Sequence, residues 1–358
     1  MKILDRYLFS TIIKSCISVL LGLLLLFSFF QFLEELNEVG TRDYTINHAL
    51  EYILLLTPSF SNSLVNISLM IGTVYSLGQM NSAKELQILQ SATVSKKTII
   101  RKSILIPFVV SIILLIILEI VSPFLSRSAD QMKKYSLGKV LDVETGLIWL
   151  KRNNNIISFN KSGQDIKELK IFIFDQQSNL ENIFTEGEFE FLEKGLNIKN
   201  SKIVNFSSKD DFVSIAESKQ DFDFIVDFSE EEMTLFNKNE KSKSLVELFY
   251  SVISLMKSEM TIREPFLELV TRLIKPFTLI GMLLIAIPFV LNSQRSISVG
   301  NRIFIAISVG VITHLFTKIT SILSLKYDSL SILGPFLPTL ILLFLGLLVL
   351  KIKKEELL

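Results

Sequence analysis

The chain has 358 residues, of which 49% are hydrophobic and 20% are charged, and its formal net charge is +1. This composition is too apolar for an ordinary soluble protein and too charged for a chain that lies wholly in lipid. It therefore predicts a membrane protein with a substantial soluble part. A net charge near zero gives no reason to expect nucleic-acid binding. The single cysteine, Cys16, excludes a disulfide framework and a thiol metal site.

Six segments are candidate transmembrane helices. Crossing the ~30 Å hydrocarbon layer takes ~20 mostly apolar residues. Segments of about this length run over residues 15–33, 52–77, 104–121, 273–291, 303–325 and 333–350. No small-residue cleavage site follows the first segment, so we expect an uncleaved anchor helix. In the second, small residues recur every four positions, a spacing typical of close helix packing; they are Ser68, Gly72 and Ser76.

The stretch SAKELQILQSATVSKK lies between the second and third segments and predicts a short amphipathic helix over about residues 82–95. At helical spacing, one side carries Leu86, Leu89 and Thr93, and Glu85, Ile88 and Ala92 lie beside it. Two interpretations fit these residues. The helix lies on anionic lipid headgroups, held by Lys96 and Lys97, or it inserts into a groove of a partner protein.

Lysine and arginine residues predict the orientation of the spans. The segment after the second span carries five of them, namely Lys84, Lys96, Lys97, Arg101 and Lys102, and the chain ends on a further basic cluster. Both termini and the short amphipathic helix are therefore expected in the cytoplasm. Residues 123–262 are expected on the other side of the membrane.

Residues 123–262 carry a β pattern. The runs NNNIISFN, ELKIFIFD, GEFEFLEKGLNIKNSKIVNF and DFDFIVDF alternate, are rich in Ile, Phe and Val, and are divided by Gly, Asn, Asp and Ser. They predict antiparallel strands of a sandwich or jelly roll, flanked by helical connectors over residues 126–141 and 244–258. The chain thus divides into transmembrane residues 1–122, a β domain at 123–262 and transmembrane residues 263–358.

Motifs for catalysis are absent from the sequence. Gly138-Lys139 lacks the remainder of a phosphate-binding loop, and no HExxH or GxSxG pattern occurs. The only histidines, His48 and His314, are far apart. We therefore expect no catalytic residue, no bound metal and no cofactor in this chain, and energy for any work must come from another subunit.

Several stretches together resemble one known family. They are Leu4-Asp5-Arg6-Tyr7, SLGQMNSAKELQILQSATVS, TGLIWLKRNNNIISF, NSQRSISVGNR and LGPFLPTLIL. In this order they are similar to the LptF/LptG family of permeases in the lipopolysaccharide-export ABC transporter. The similarity covers nearly the whole chain, and the LDRY opening is closer to the LptG branch of the family.

The resemblance implies an α-helical protein of the bacterial inner membrane with three helices, an inserted periplasmic β-jellyroll domain and three more helices. The implied function is extraction of lipopolysaccharide or a related glycolipid. The implied partners are an LptF-like permease, an LptB-like ATPase dimer that binds ATP and Mg, and an LptC-like jellyroll protein. In the family the helix between spans two and three couples to the ATPase, and its acidic residue corresponds to Glu85.

Polar residues near the membrane are candidates for a glycolipid cavity. His314 and Lys318 lie one turn apart in the fifth span, where a lysine in lipid costs at least ~2.5 kcal/mol and so must face protein or water. Two interpretations fit this pair. Its side chains are buried and hydrogen-bonded or extend to the membrane surface, or they line the wall of a substrate cavity. The resemblance favours the cavity wall. Outer-surface candidates, with isolated surface charges as the alternative, are Arg127, Lys133, Lys134, Arg272 and Lys275. Glu119 is a candidate partner for His314 or Lys318.

The chain departs from the family at the outer end of the first span, where Gln31, Glu34 and Glu35 replace the basic residues that the family commonly has. Two rival functions remain. A lipoprotein-release permease would have four spans and its outer domain after the first. A membrane-anchored envelope scaffold, whose β domain binds a partner without transport, would not need His314, Lys318 or the cytoplasmic helix.

Overall fold

The computed structural model describes residues 2–91, 95–138, 148–152, 155–162, 165–175, 180–185, 188–192, 195–209, 212–224, 243–257, 262–291, 299–327 and 333–352. The chain divides into two compact units. The helical unit comprises Met1–Lys133 and Leu267–Leu358, and the sheet unit comprises Lys134–Phe266.

Eight helices are described, and their order follows the predicted spans. They are α1 (Lys2–Glu35), α2 (Ile46–Ser82), α3 (Glu85–Ser91), α4 (Lys96–Ser136), α5 (Leu245–Lys257), α6 (Arg263–Leu291), α7 (Val299–Lys326) and α8 (Leu337–Ile352). The two predicted connectors correspond to the last turns of α4 and to α5.

Five of the described helices are long and apolar enough to cross a membrane, one fewer than predicted. The candidate spans are Asp5–Glu35, Ile46–Ser82, Lys96–Ser136, Arg263–Leu291 and Gly300–Lys326. The sixth predicted span corresponds to α8, which has 16 residues. Its helix begins only at Leu337, because turns occupy the stretch around Gly334 and Pro335. At ~1.5 Å per residue, α8 is about 24 Å long.

Small residues bring α8 against α6 and reveal its direction. The hydroxyls of Thr278 and Thr339 lie 2.7 Å apart. A Cβ at Gly281 would lie 2.8 Å from Leu342 Cβ, and one at Gly346 would lie 2.5 Å from Leu284 Cβ. These pairs advance in the same order along both chains, so α8 runs parallel to α6. Only glycine allows helices to approach this closely.

The contact between α1 and α2 also depends on small residues. A Cβ at Gly72 would lie 2.5 Å from Cys16 Cα. The Cys16 thiol lies 3.8 Å from the Thr73 hydroxyl, and Ser68 and Ser76 are fully buried. The small residues that the sequence singled out thus lie in the packed interior of the helical unit.

The sheet unit contains seven antiparallel strands. They are β1 (Ile148–Arg152), β2 (Asn155–Ser162), β3 (Asp165–Phe174), β4 (Leu180–Thr185), β5 (Glu188–Leu192), β6 (Gly195–Lys209) and β7 (Phe212–Phe224). Their order is β1-β2-β3-β4-β6-β5, and β7 pairs with β6. The long strand β6 pairs with β7 along most of its length, and with β5 and then β4 in successive segments.

A row of apolar side chains crosses the middle of the sheet. Ile157 pairs with Ile171, Ile171 with Phe184, and Phe184 with Ile203. All four side chains are buried. Alternation along the strands places them on one face, which is the core of this unit. The described strands form one sheet, whereas a jelly roll has two packed sheets. The antiparallel sheet is confirmed, and its jelly-roll order stays a prediction.

Replacing Gly72 with alanine tests the α1–α2 contact. Gly72→Ala is expected to lower the free energy of unfolding by about 1–3 kcal/mol, because the new methyl overlaps the backbone at Cys16. The measurement is unfolding in mixed detergent micelles, followed by circular dichroism. Gly22→Ala is the control, since no atom lies within 4 Å of its Cβ position. Equal effects of the two substitutions would contradict the packing role.

Candidate functional site

The short helix α3 is held by one side and open on the other. Leu86 is 2% exposed and belongs to the apolar core, and Leu89 packs against that core. Ile88, which lies between these two leucines in the chain, is 64% exposed. The Tyr7 hydroxyl of α1 donates a 2.7 Å hydrogen bond to Glu85 Oε2. The helix is therefore packed on the core through Leu86 and Leu89 and exposes Ile88. The Glu85 carboxylate has a hydrogen-bond donor within the chain.

The end of α2, just before α3, is anchored to two further helices. Asn81 Nδ2 donates to the carbonyl of Val290, at the end of α6, over 3.0 Å. Arg302 Nη1 of α7 donates to the Gly78 carbonyl and, over 2.8 Å, to Ser82 Oγ. The helices α1, α2, α6 and α7 thus meet at this junction.

A polar network joins α2, α4 and α6 in the interior of the helical unit. Arg272 Nη1 lies 3.1 Å from Glu119 Oε2, and Arg272 Nε lies 2.8 Å from Glu268 Oε1. Asn62 Nδ2 donates to Glu119 Oε1 over 3.3 Å, and Lys275 Nζ donates to Asn62 Oδ1 over 3.1 Å. Glu119 and Arg272 are each 6% exposed. The positive charges of this region face carboxylates and amides of the same chain.

A second charged cluster lies where α1 ends and α4 approaches its last turn. Lys133 Nζ is 2.8 Å from Glu35 Oε1 and 2.9 Å from Glu38 Oε2. The same Nζ lies 4.8 Å from the ring centre of Tyr52 and 5.9 Å from that of Tyr44, within cation–π range. Lys133 therefore has its charge compensated by two carboxylates and two aromatic rings.

Tyr44 completes this cluster. Its side chain is fully buried, and its hydroxyl donates a 2.9 Å hydrogen bond to Glu35 Oε2. Burial, and next the hydrogen bond to Glu35, raise the pKa of Tyr44 above its ordinary value. A tyrosine hydroxyl is already protonated at neutral pH, and the raised pKa keeps it a donor to the buried carboxylate in alkaline solution as well.

The helix α7 has a buried polar face and an exposed polar pair. Arg302, Thr313, Thr320 and Ser324 are buried. The hydroxyls of Thr313, Thr320 and Ser324 donate to carbonyls of the preceding turn. His314 and Lys318 are exposed beside that face. Among the described residues, no hydrogen bond or ion pair satisfies either of them.

The remaining predicted site residues are scattered. Arg127 is partly buried on α4, and Lys134 is exposed on the same helix. Ala92 lies outside the described residues. The structure thus brings Arg272 and Lys275 together, whereas Lys133 belongs to a separate cluster, and Glu119 pairs with Arg272.

Sequence reasoning missed the partners that hold the junction around α3. Tyr7, Asn81 and Arg302 contact residues far away in the chain, and no periodic pattern marks such contacts. Tyr7 lies in the LDRY motif and Arg302 ends the stretch NSQRSISVGNR, and neither pattern indicates a contact with a distant residue. Their buried or bonded state appears only in three dimensions.

These features define a membrane-integral protein with an additional β unit. Its apolar helices enclose ion pairs, a short polar helix lies between two of them, and the sheet lies between α4 and α5 in the chain. Comparison with known proteins identifies the family. Residues 6–352 match the family model of the lipopolysaccharide export system permease LptF/LptG. The chain belongs to this family.

Curated relatives agree with that assignment. The chain is 25% identical over 352 residues to the lipopolysaccharide export system permease protein LptG of Haemophilus influenzae, covering 94% of this chain and 95% of the relative. It is 20% identical over 341 residues to the protein of the same name from Escherichia coli K12, with 94% of each chain covered. Both relatives carry the LptG name, as the LDRY opening predicts.

Replacing Lys133 decides whether its cation is structural. Lys133→Met is expected to lower the free energy of unfolding by about 3 kcal/mol, because Glu35 keeps a buried carboxylate without its cation. Lys134→Met is the control, since that neighbour is exposed, and a change within about 0.5 kcal/mol is expected. Unfolding in detergent measures both. Unchanged stability with reduced binding of lipopolysaccharide would instead assign Lys133 to the substrate cavity, as the sequence predicts.

Proposed function

We propose that this chain is the LptG-type permease subunit of a transporter that extracts lipopolysaccharide or a related glycolipid from the inner membrane. ATP hydrolysis by an LptB-like dimer drives the extraction, and an LptF-like permease completes the transport path. The observation that carries the proposal is the family match over residues 6–352. Both relatives are named as lipopolysaccharide export system permease proteins.

The helix α3 is the proposed contact with the ATPase. Its buried side, with Leu86, fixes it to the helical unit, and its open side offers Ile88 to a groove. This arrangement suits transmission of movement from the ATPase to the membrane spans, because α3 contacts the ATPase on one side and packs against the spans on the other. Only two residues, Ala83 and Lys84, separate α3 from α2. Glu85, Leu89 and Ala92 complete the proposed contact.

We propose His314 and Lys318 as the residues that meet phosphate or sugar groups of the glycolipid. The pair lies within a helix long enough to cross the membrane and is exposed in this chain. A lysine within such a helix needs water, an anion or a partner subunit. Lys133, Arg272 and Lys275 have charges or donors engaged within the chain, so their contact with the phosphate stays a prediction and His314 and Lys318 are the first to test.

The topology follows from the same proposal. Both termini and α3 lie in the cytoplasm, and the sheet unit lies in the periplasm as a jelly roll that passes glycolipid to an LptC-like protein. The helix α8 serves as the sixth span. Its parallel packing on α6 supports this, because the fourth and sixth spans of such a topology cross the membrane in the same direction.

Substitutions in α3 test the ATPase contact. Ile88→Asp is expected to weaken association with the ATPase about tenfold, as expected for an exposed apolar anchor of an interface. Gln87→Ala, exposed on the same helix, is the control. Glu85 accepts a hydrogen bond from Tyr7 and is also a proposed contact with the ATPase. Tyr7→Phe separates these two roles, since it removes the hydrogen bond and keeps the carboxylate. The measurement is the amount of ATPase that co-purifies with the tagged permease complex.

In that experiment, Glu85→Gln is expected to lose ATPase while Tyr7→Phe retains it. Full retention of ATPase by both Ile88→Asp and Glu85→Gln would refute the contact. If the wild-type chain brings down neither ATPase nor glycolipid, the envelope-scaffold function is the better description.

A photo-crosslinking amino acid at position 318 tests the substrate path. During ATP turnover in membranes that contain lipopolysaccharide, position 318 is expected to capture it, and position 312 is not. Ile312 is the control because it is 65% exposed on the same helix but lies on a different side of that helix from His314 and Lys318. Mass spectrometry of the adduct identifies the lipid. Capture at neither position, or equal capture at both, would exclude a specific cationic contact.

A further inference from the structure

Arg302 is a buried cation that the proposed transport path does not use. It lies in the first turn of α7 and is 4% exposed. Its Nη1 reaches across to α2, where it donates to the Gly78 carbonyl and to Ser82 Oγ. Both acceptors belong to the last turns of α2, directly before α3. Gly78 is buried, whereas Ser82 is exposed. Hydrogen bonds with a charged donor are among the stronger ones in proteins.

Gly78 makes room for this arginine. A Cβ at Gly78 would lie 2.8 Å from Arg302 Cδ and 3.1 Å from Nη1. Any larger residue would therefore push the guanidinium away from the α2 carbonyl. Glycine and arginine form a matched pair at the crossing of two helices.

The contact continues along both helices. Eight residues before Gly78 on α2, Met70 meets Gly310, which lies eight residues after Arg302 on α7; a Cβ at Gly310 would be 3.1 Å from Met70 Cε. The two helices are therefore packed antiparallel over at least this length, about 12 Å. Displacement of the α2 end would carry α7 with it as long as the Arg302 bonds hold.

We propose that Arg302 is a positioning residue that transmits movement of α3 to α7. The inference rests on the proposed function, since it takes α3 as the contact with the ATPase and α7 as the helix with the glycolipid-binding pair. The path runs from α3 through the two-residue turn to Ser82 and Gly78, and across the guanidinium to α7. His314 and Lys318 lie 12 and 16 residues further on, about 18 and 24 Å along the helix.

The end of α6 also contacts the end of α2, but through a neutral group. Asn81 bonds to the carbonyl of Val290 through a neutral amide. Among the described residues, α6 and α7 both bond to the end of α2, and α7 does so through a buried charge. A buried guanidinium that loses its acceptors is costly, so the two helices are expected to separate less readily at Arg302 than at Asn81.

The ratio of ATP hydrolysed to lipopolysaccharide released tests the role of Arg302. The complete wild-type complex is placed in proteoliposomes with purified lipopolysaccharide, and release to a soluble acceptor jellyroll protein is measured beside phosphate production. Arg302→Ala is expected to raise the ratio about tenfold, the scale of one lost charge-assisted hydrogen bond. The ATPase is expected to remain bound, since α3 itself is unchanged.

Two further variants protect the test against misfolding. Ser82→Ala removes one acceptor and leaves the cation bonded to Gly78, so a smaller rise in the ratio is expected. Arg302→Lys keeps a cation that reaches the Gly78 carbonyl and is expected to restore most of the coupling. Lys326→Ala, an exposed cation at the other end of α7, is the control and should leave the ratio unchanged.

The outcomes separate this inference from the proposed function. A wild-type complex that hydrolyses ATP without releasing lipopolysaccharide would refute the proposed function. A wild-type complex that transports, with an unchanged ratio in Arg302→Ala, would refute the role of Arg302 alone. If Arg302→Ala fails to assemble, an unchanged ratio in Ser82→Ala overturns the inference and a raised ratio supports it.

Discussion

The ion pair between Glu119 and Arg272 is the interaction on which the helical unit depends. Each side chain is 6% exposed, and each comes from a different long apolar helix. A buried charge without a partner is strongly destabilising, so the two helices must keep the register that holds these atoms 3.1 Å apart. Asn62 ties α2 to the same carboxylate. Three helices are thereby fixed relative to one another at one point.

The same rule explains the two ends of the unit. At one end, Glu35 and Tyr44 surround Lys133, and the acidic residue that departs from the family pattern becomes the counter-charge of a lysine. At the other end, Tyr7 donates to Glu85, and Arg302 donates to the Gly78 carbonyl and the Ser82 hydroxyl of α2. Polar side chains of the apolar helices therefore hold the helices together. His314 and Lys318 differ because, in the described part of the chain, no ion pair or hydrogen bond accounts for them.

Much of the fold could be predicted from the sequence, because helix length and hydropathy are local properties. The five long helices, α5 and most strands lie where apolar period and turn residues place them. Contacts between distant residues could not be predicted in this way. Glu119 was expected to serve the cations of α7, yet it pairs with Arg272 of α6, which lies 153 positions away in the chain. The sequence predicts phosphate binding by Lys133, which stays a prediction, and it could not reveal the two carboxylates, Glu35 and Glu38, that pair with this lysine.

The turn between α2 and α3 shows why a short connection suits the coupling of the two helices. Lys84 has a φ of 59°, a left-handed conformation that costs a residue other than glycine roughly 1 kcal/mol. This conformation lets α3 start immediately after α2, with Ala83 and Lys84 between them. A long flexible loop would absorb any displacement of α3 before it reached the spans. Because the turn is short and α2 is anchored at Gly78, Asn81 and Ser82, a displacement of α3 must either move α6 and α7 or break those bonds.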